Sequence, residues 1–336
     1  MIKTEEFLMG MLIKGELVDN WLEKETDDGE FKRMESSFRN WVTVDGSAGP
    51  TGDGGFKAEA DRYHLYVSAA CPWAHRTVIF RKLKKLEPII GLSIVEPDML
   101  EQGWTFAEAG SYIDHLYANK YMHQIYTRAD KEFTGQITVP VLWDKKLQTI
   151  VNNESSEIIR MLNSAFNNFT DVTVDYYPES LRQEIDEINQ PIYRYINNGV
   201  YRCGFATTQV AYERAFDRLF NELDRVEEML SKNRYLTGDQ ITEADWRLFT
   251  TLVRFDAVYV GHFKCNLRRI ADYANLSNYL RELYQVPGIA ETVNIDYIKR
   301  HYYYSHTSVN PTQIVPKGPL LNFALAHDRA TKFGDG

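Results

Sequence analysis

The stretch RYHLYVSAACPWAHRTVIFRKLKKL, residues 62–86, predicts how the first folded part of this chain is built. Residues 62–68 are rich in aromatic and apolar side chains, which is typical of a β-strand. Pro72 favours the first turn of a helix, and apolar residues then recur with helical spacing as far as Leu86. Cys71 therefore lies where a predicted strand ends and a predicted helix begins.

Strand and helix signals continue on both sides of a long insertion. An irregular, aromatic segment is predicted between about residues 97 and 136, where no periodicity persists. The surrounding residues predict three strands, at 89–95, 139–144 and 147–151. They also predict one helix, at 154–166. The order β-α-β, insertion, β-β-α indicates an α/β domain.

Strand signals stop near residue 178, and helical periodicity takes over at 179–197, 208–231, 243–260 and 277–285. Within this part, Thr242 is expected to cap a helix whose Asp245 reaches back to it. The fold class is thus α/β plus all-α. We predict an extension at 1–57, an α/β domain at 58–170, an all-helical domain at 178–300 and an ordered tail at 301–336.

Composition and charge argue against several classes of function. The chain has 47 acidic and 38 basic residues and a net charge of −9, which argues against nucleic-acid binding. It contains no apolar stretch long enough to span a membrane and no signal-peptide pattern at its start, so we expect a cytoplasmic protein without membrane contact. Its histidines and cysteines show no metal-binding spacing, so no metal is expected.

Cys71 is the strongest candidate for chemistry. A thiol at a helix N-terminus faces unpaired N–H groups and the positive end of the helix dipole, which favours the nucleophilic thiolate. Ala74 occupies the position of the second cysteine in a Cys-x-x-Cys pair, so a disulfide at Cys71 must be resolved by an external thiol. The alternative is a buried, unreactive thiol, the role expected for Cys203 and Cys265.

Two further segments complete a candidate pocket. Pro140 precedes an apolar strand and is compatible with a cis bond, which would present the backbone of Val139 to an extended peptide. Glu154 and Ser155 stand at a predicted helix start, where a hydroxyl and N–H groups can bind a carboxylate and Glu154 can pair with an ammonium. Taken singly, an edge-strand proline explains the first segment equally well, and ordinary helix capping explains the second segment better.

The motifs resemble those of the xi-class glutathione transferases, or glutathionyl-hydroquinone reductases, over nearly the whole chain. The resemblance rests on Cys71-Pro72-Trp73-Ala74-His75-Arg76, Thr138-Val139-Pro140-Val141-Leu142-Trp143-Asp144, Asn153-Glu154-Ser155-Ser156-Glu157-Ile158, Gly204-Phe205-Ala206-Thr207-Thr208-Gln209 and His301-Tyr302-Tyr303-Tyr304-Ser305-His306.

The resemblance implies a thioredoxin-like domain joined to a helical domain, usually in a homodimer. It implies reduction of glutathionyl-hydroquinones, with Cys71 as the catalytic residue and glutathione as co-substrate. Glutathione would be held by Trp104, Gln136, Val139, Glu154 and Ser155. The aromatic substrate would be held by Tyr201, Tyr259 and a tail tyrosine, for which Tyr303 is our choice over its neighbours.

One position departs from the family pattern, and two other functions fit the same motifs. The family commonly carries a basic residue where this chain has Gln136, a neutral donor that binds a carboxylate less strongly. An omega-like thioltransferase or dehydroascorbate reductase would use Cys71 on other disulfides or substrates. A non-catalytic binding module would leave Cys71 unreactive.

Overall fold

A computed structural model describes residues 10–18 and 28–334 of the chain. The described residues divide into two compact units, one formed by 10–18 and 34–174 and the other by 28–33 and 175–334. The predicted extension at 1–57 is therefore shared between the two units. Its residues 1–9 and 19–27 lie outside the described part of the chain.

The first unit contains the predicted α/β order. Its strands are β1 (Met11–Ile13), β2 (Glu16–Val18), β3 (Tyr63–Val67), β4 (Ile90–Ile94), β5 (Met99–Leu100), β6 (Gly103–Trp104), β7 (Gly135–Gln136), β8 (Val141–Asp144) and β9 (Thr149–Asn152). Its helices are α1 (Pro72–Leu83), α2 (His123–Ala129) and α3 (Ser155–Ser164).

The main sheet has the strand order β4-β3-β8-β9. β3 pairs in parallel with β4 and antiparallel with β8, so Leu65 lies between Leu92 and Leu142. All five residues of β3 are buried, which explains why apolar and polar side chains do not alternate along it as they do on a half-exposed strand. α1 connects the parallel pair and packs against α3. The sheet thereby holds the start of α1 at the end of its central strand.

The insertion contains more regular structure than predicted. α2 lies inside it, and β7 joins β1 and β2 in a separate three-stranded sheet. α2 has only seven residues, too few for its periodicity to stand out in a sequence window. Its buried residues, Ile125 and Tyr126, pack into the first unit and stabilise a helix that would be marginal alone.

The second unit is helical, as predicted. Its helices are α4 (Arg182–Pro191), α5 (Gly199–Gly204), α6 (Gln209–Lys232), α7 (Glu243–Arg254), α8 (Ala274–Gln285), α9 (Ile295–Ser305) and α10 (Arg329–Phe333). π-helical turns at Ile192–Asn197 and Phe255–Tyr259 continue α4 and α7, which accounts for the longer periodic segments in the sequence.

Two helix starts in this unit show how local sequence defines its elements. The side chain of Asp245 accepts a hydrogen bond from the N–H of Thr242 at 2.8 Å, which confirms the predicted reciprocal cap of α7. α9 begins after Asn294, whose side chain accepts from the N–H of Tyr297 at 2.9 Å. The predicted tail boundary at residue 301 falls inside α9, because buried aromatic side chains such as Tyr302 extend the helix to Ser305.

Candidate active site

Cys71 is the N-cap of α1. Its backbone is extended, with φ −73° and ψ 118°, and its carbonyl accepts the hydrogen bond from His75 N–H at 2.9 Å. Pro72 is the first helical residue, where its missing N–H costs no hydrogen bond. Cys71 is partly exposed and outside any disulfide. The structure therefore places this thiol at the predicted position, at the N-terminus of α1.

Val139 is a hydrogen-bond partner of that thiol. The Sγ of Cys71 donates to the carbonyl of Val139 at 3.4 Å, and the Val139–Pro140 bond is cis, as expected from the sequence. Among the described residues, the N–H of Val139 donates no hydrogen bond. This segment therefore offers a main-chain donor next to the thiol, which is what an added extended peptide requires.

Glu154 caps α3 with its own side chain. Its carboxylate accepts from the N–H and the hydroxyl of Ser156, both at 2.9 Å, and from the Ser36 hydroxyl at 3.1 Å. Burial opposes the ionisation of Glu154, but the hydrogen bonds from Ser156, the charge of Arg76 and the Ser36 hydroxyl outweigh it and hold the pKa below its usual value. Glu154 is thus an ionised carboxylate at neutral pH.

Asn153 ties this helix start to the segment that contains Val139. Its amide donates to the Tyr126 hydroxyl at 3.2 Å and to the Thr138 hydroxyl at 3.4 Å. The Tyr126 hydroxyl in turn donates to the Thr138 carbonyl at 2.9 Å. The backbone beside Cys71 and the start of α3 are therefore held by one buried network.

Arg76 is a residue of this site that our sequence analysis did not single out. It is only 1% exposed, and its guanidinium donates to the Ser155 hydroxyl at 3.4 Å and lies 4.5 Å from the ring centroid of Trp73. Ser155 is buried at the first position of α3. The sequence signal that could have found Arg76 is a charged residue within a largely apolar helical segment. Such charges are rarely buried without a partner, so a binding role would have been worth considering.

Trp104 and Gln136, the other two predicted glutathione contacts, both lie in the insertion. Trp104 is buried on β6, and its carbonyl accepts from the N–H of Met122 at 2.9 Å. Gln136 is buried on β7 opposite Met11, three residues before Val139. Each is thus held in place by backbone pairing that the sequence did not predict.

Three tyrosines of the second unit share one hydrogen-bonded cluster, which we call the tyrosine triad: Tyr201, Tyr259 and Tyr302. The hydroxyl of Tyr302 lies 2.6 Å from that of Tyr201 and 3.1 Å from that of Tyr259. Burial raises the pKa of Tyr302 and Tyr259 well above the ordinary value, against the opposing charge of Arg254. These hydroxyls are therefore protonated at neutral pH and can act as hydrogen-bond donors.

Tyr303, our choice from the sequence, lies outside the triad. Its hydroxyl donates to the carbonyl of Ala257 at 3.5 Å, and its ring packs edge-on against His262 at 4.8 Å. Consecutive residues of a helix point about 100° apart. Tyr302 and Tyr303 therefore face different surroundings, and the structure joins Tyr302 to Tyr201 and Tyr259.

Neither a metal site nor a membrane span is found in the part of the chain that the structure describes. No group of three or more histidine, cysteine, aspartate or glutamate side chains in residues 10–18 and 28–334 is arranged to hold a metal ion. No helix in the same residues has both the length and the apolar character needed to cross a membrane.

Comparison with known proteins gives matches over nearly the whole chain. Residues 70–165 match the model of the glutathione S-transferase N-terminal domain, and residues 209–282 match that of the C-terminal domain. The chain is 56% identical to glutathionyl-hydroquinone reductase YqjG of Escherichia coli, over 97% of this chain and 100% of that protein. A xi-class glutathione transferase from Natrialba magadii superposes with a TM-score of 0.87 at 48% identity, covering 96% of this chain and 97% of that one. The chain belongs to the xi class of glutathione transferases.

Further relatives agree with this assignment to the xi class. Glutathionyl-hydroquinone reductase PcpF of Sphingobium chlorophenolicum is 52% identical, over 93% of this chain and 96% of that protein. The glutathione-bound structure of YqjG from Escherichia coli superposes with a TM-score of 0.89 at 54% identity, covering 96% of this chain and 100% of that one. The predicted thioredoxin-like and helical fold class of this xi-class protein is confirmed.

Proposed function

We propose that this xi-class protein reduces glutathionyl-hydroquinones to hydroquinones at the expense of glutathione. The observation that carries the proposal is the thiol of Cys71 at the first turn of α1, with Ala74 where a second cysteine would stand. Such a thiol can form a mixed disulfide but cannot resolve it within its own helix. The reductase names of YqjG and PcpF support the same reaction.

The first half-reaction transfers a glutathionyl group to the protein. The Cys71 thiolate attacks the glutathionyl sulfur of the substrate, so a sulfur–sulfur bond forms and the bond between sulfur and the aromatic carbon breaks. The electron pair of the broken bond goes to the ring carbon, which takes up one proton. That proton balances the one lost when the Cys71 thiol ionised, and the hydroquinone leaves.

The second half-reaction regenerates the thiol. The thiolate of a free glutathione attacks the glutathionyl sulfur of the mixed disulfide, and the electron pair of the broken bond returns to Cys71. The product is oxidised glutathione. One free glutathione is consumed for each hydroquinone released, because the other half of the disulfide comes from the substrate.

In this proposal, five residues of the first unit bind glutathione and the tyrosine triad binds the aromatic ring. The N–H of Val139 would pair with the glutathione backbone, while ionised Glu154 would attract its ammonium group. Phenol hydroxyls can hydrogen-bond the oxygens of a hydroquinone. Tyr302 replaces Tyr303 in the set. The remaining glutathione contacts are Trp104, Gln136 and Ser155.

The proposal is tested by turnover of a glutathionyl-hydroquinone with excess glutathione, with mass spectrometry of the protein during turnover. We expect equal amounts of hydroquinone and oxidised glutathione, and a Cys71-glutathione adduct when free glutathione is omitted. A Cys71-glutathione adduct that forms with oxidised glutathione, but not with the glutathionyl-hydroquinone, would favour the thioltransferase function. Absence of both adduct and turnover would favour a binding module.

Gln136 gives a prediction about glutathione affinity. Replacing Gln136 with arginine restores the basic residue common in the family and should tighten glutathione binding about fivefold, because a charged donor binds a carboxylate more strongly than a neutral one. Isothermal titration calorimetry measures this directly. The matched variant Gln136→Glu should weaken binding, and an unchanged or weaker dissociation constant for Gln136→Arg would place the carboxylate elsewhere.

We further propose that the protein is a cytoplasmic homodimer. Fractionation of the native host and sedimentation of the purified chain measure these two properties separately. A membrane-bound fraction or a monomer at micromolar concentration would contradict them.

A further inference from the structure

The hydroxyl group of Tyr126 lies at the centre of the buried network that holds the backbone beside Cys71. Tyr126 belongs to α2, inside the insertion, and it is completely buried. Its ring packs against Phe38, with ring centroids 6.0 Å apart, and against Phe133, with centroids 5.1 Å apart. These contacts fix the position of the hydroxyl within the first unit.

The hydrogen-bonding capacity of this hydroxyl is fully used. It donates to the carbonyl of Thr138 at 2.9 Å, and its oxygen accepts from the N–H of Thr138 at 3.2 Å and from the amide of Asn153 at 3.2 Å. One donated and two accepted bonds satisfy a hydroxyl group. Burial raises the pKa of Tyr126 above its ordinary value, so the donated proton is present at neutral pH.

The bond to the Thr138 carbonyl also sets the direction of the Val139 N–H. That carbonyl and that N–H belong to one peptide group, which is trans and planar, so they point in opposite directions. Holding the carbonyl toward Tyr126 therefore directs the N–H away from it. The Val139 N–H has no acceptor among the described residues, so it is available to a bound peptide.

The same hydroxyl connects this segment to the start of α3. Asn153, which donates to it, immediately precedes Glu154, the residue proposed to attract the ammonium group of glutathione. The N–H of Phe38 donates to the side-chain oxygen of Asn153 at 3.0 Å, so the orientation of that amide is also fixed. Tyr126 thus holds two parts of the proposed glutathione site in a fixed relation to each other.

We propose that Tyr126 is a positioning residue that makes the site selective for glutathione over thiols and disulfides without a peptide backbone. The proposal rests on the proposed function, in which the Val139 N–H pairs with the backbone of glutathione. Without the Tyr126 hydroxyl, the 138–139 peptide group loses the partner of its carbonyl and is free to rotate. Glutathione then loses a correctly directed donor, whereas a small disulfide that never used this donor loses nothing.

Adduct formation at Cys71 with two different disulfides tests the proposal. The Cys71 thiolate attacks one sulfur of either compound, the sulfur–sulfur bond breaks, and the other half leaves as a thiolate. Oxidised glutathione presents a peptide backbone to the site, and hydroxyethyl disulfide does not. In Tyr126→Phe we expect the rate constant for oxidised glutathione to fall about tenfold relative to that for hydroxyethyl disulfide. Intact-protein mass spectrometry measures both rates.

Tyr63→Phe is the matched control. Tyr63 lies on β3 of the same unit and is equally buried, and its hydroxyl donates to the carbonyl of Lys57 at 2.7 Å. Its loss should cost similar stability but change the ratio of the two rate constants less than about twofold. Because each ratio is taken within a single preparation, the fraction of folded protein cancels from it.

Calorimetric titration with reduced glutathione is a second measurement that involves no hydroquinone. We expect the dissociation constant to rise about tenfold in Tyr126→Phe and about threefold in Asn153→Ala, which removes one donor to the hydroxyl. If Tyr126→Phe fails to fold, Asn153→Ala supplies the same comparison of the two disulfides.

Three results would overturn the proposal. They are equal losses of rate with both disulfides, an equal change of the rate ratio in Tyr63→Phe, and an unchanged affinity for glutathione in Tyr126→Phe. Selective losses in a protein that releases no hydroquinone would support the positioning role of Tyr126 and contradict only the proposed reduction.

Discussion

Alanine at position 71 should lower the turnover of a glutathionyl-hydroquinone at least about 1000-fold, the loss expected when a nucleophile is removed. Cys71 alone among the three cysteines is partly exposed and lies at a helix N-terminus. Without its sulfur no mixed disulfide forms, so both half-reactions stop. Single-turnover kinetics and intact-protein mass spectrometry measure the rate and the adduct separately.

Two further variants serve as controls for the loss of turnover in Cys71→Ala. Cys71→Ser keeps the size of the side chain but replaces the thiolate with a poorly ionised hydroxyl, so it should be as inactive as the alanine variant. Cys265→Ala removes a thiol that is fully buried, and it should retain the wild-type kcat in the folded fraction. Substantial turnover by Cys71→Ala would show that the hydroquinone is released without a mixed disulfide.

Phenylalanine at position 302 should lower kcat/KM for the glutathionyl-hydroquinone by about 10- to 100-fold and leave the KM for glutathione nearly unchanged. The hydroxyl of Tyr302 is the central member of the tyrosine triad, with Tyr201 and Tyr259 both within 3.1 Å. Its removal takes away a buried donor and leaves two hydroxyls without that partner. Steady-state kinetics with each substrate varied in turn separates these two effects.

Tyr303→Phe is the matched control, since it removes a hydroxyl from the next residue of the same helix. That hydroxyl is a donor to the Ala257 carbonyl at 3.5 Å, so we expect kcat/KM within about threefold of wild type. Thermal unfolding of both variants shows how much of any loss comes from stability. Equal losses of kcat/KM in the two variants would contradict the assignment of Tyr302 to substrate binding.

The first unit was predictable because its signals are local. The transition from strand to helix at Cys71, the cis bond before Pro140 and the helix start at Glu154 all depend on a few consecutive residues. Arg76 was missed because its contacts are not local in sequence. Its role depends on α1 packing against α3, which brings its guanidinium to Ser155, a residue 79 positions away in the chain.

The tyrosines of the second unit show the same contrast between what the sequence indicates and what packing decides. The sequence alone indicated that Tyr201, Tyr259 and one of three consecutive tyrosines matter, through resemblance to a family. Our choice among the three was Tyr303, made without knowing which side chain of α9 faces the core, because that depends on how the helix packs. Tyr302 is selected by its burial and by its hydrogen bonds to residues 43 and 101 positions away.

The sequence by itself determined the fold class, the position of Cys71 at the start of a helix and the absence of a second cysteine in that helix. These follow from residue order, turn chemistry and helix propensity, which act over a few residues. Only the tertiary structure decided the partner of Ser155 and the membership of the tyrosine triad. Those arrangements depend on which helix faces are in contact. Packing between elements that are distant in sequence decides those contacts.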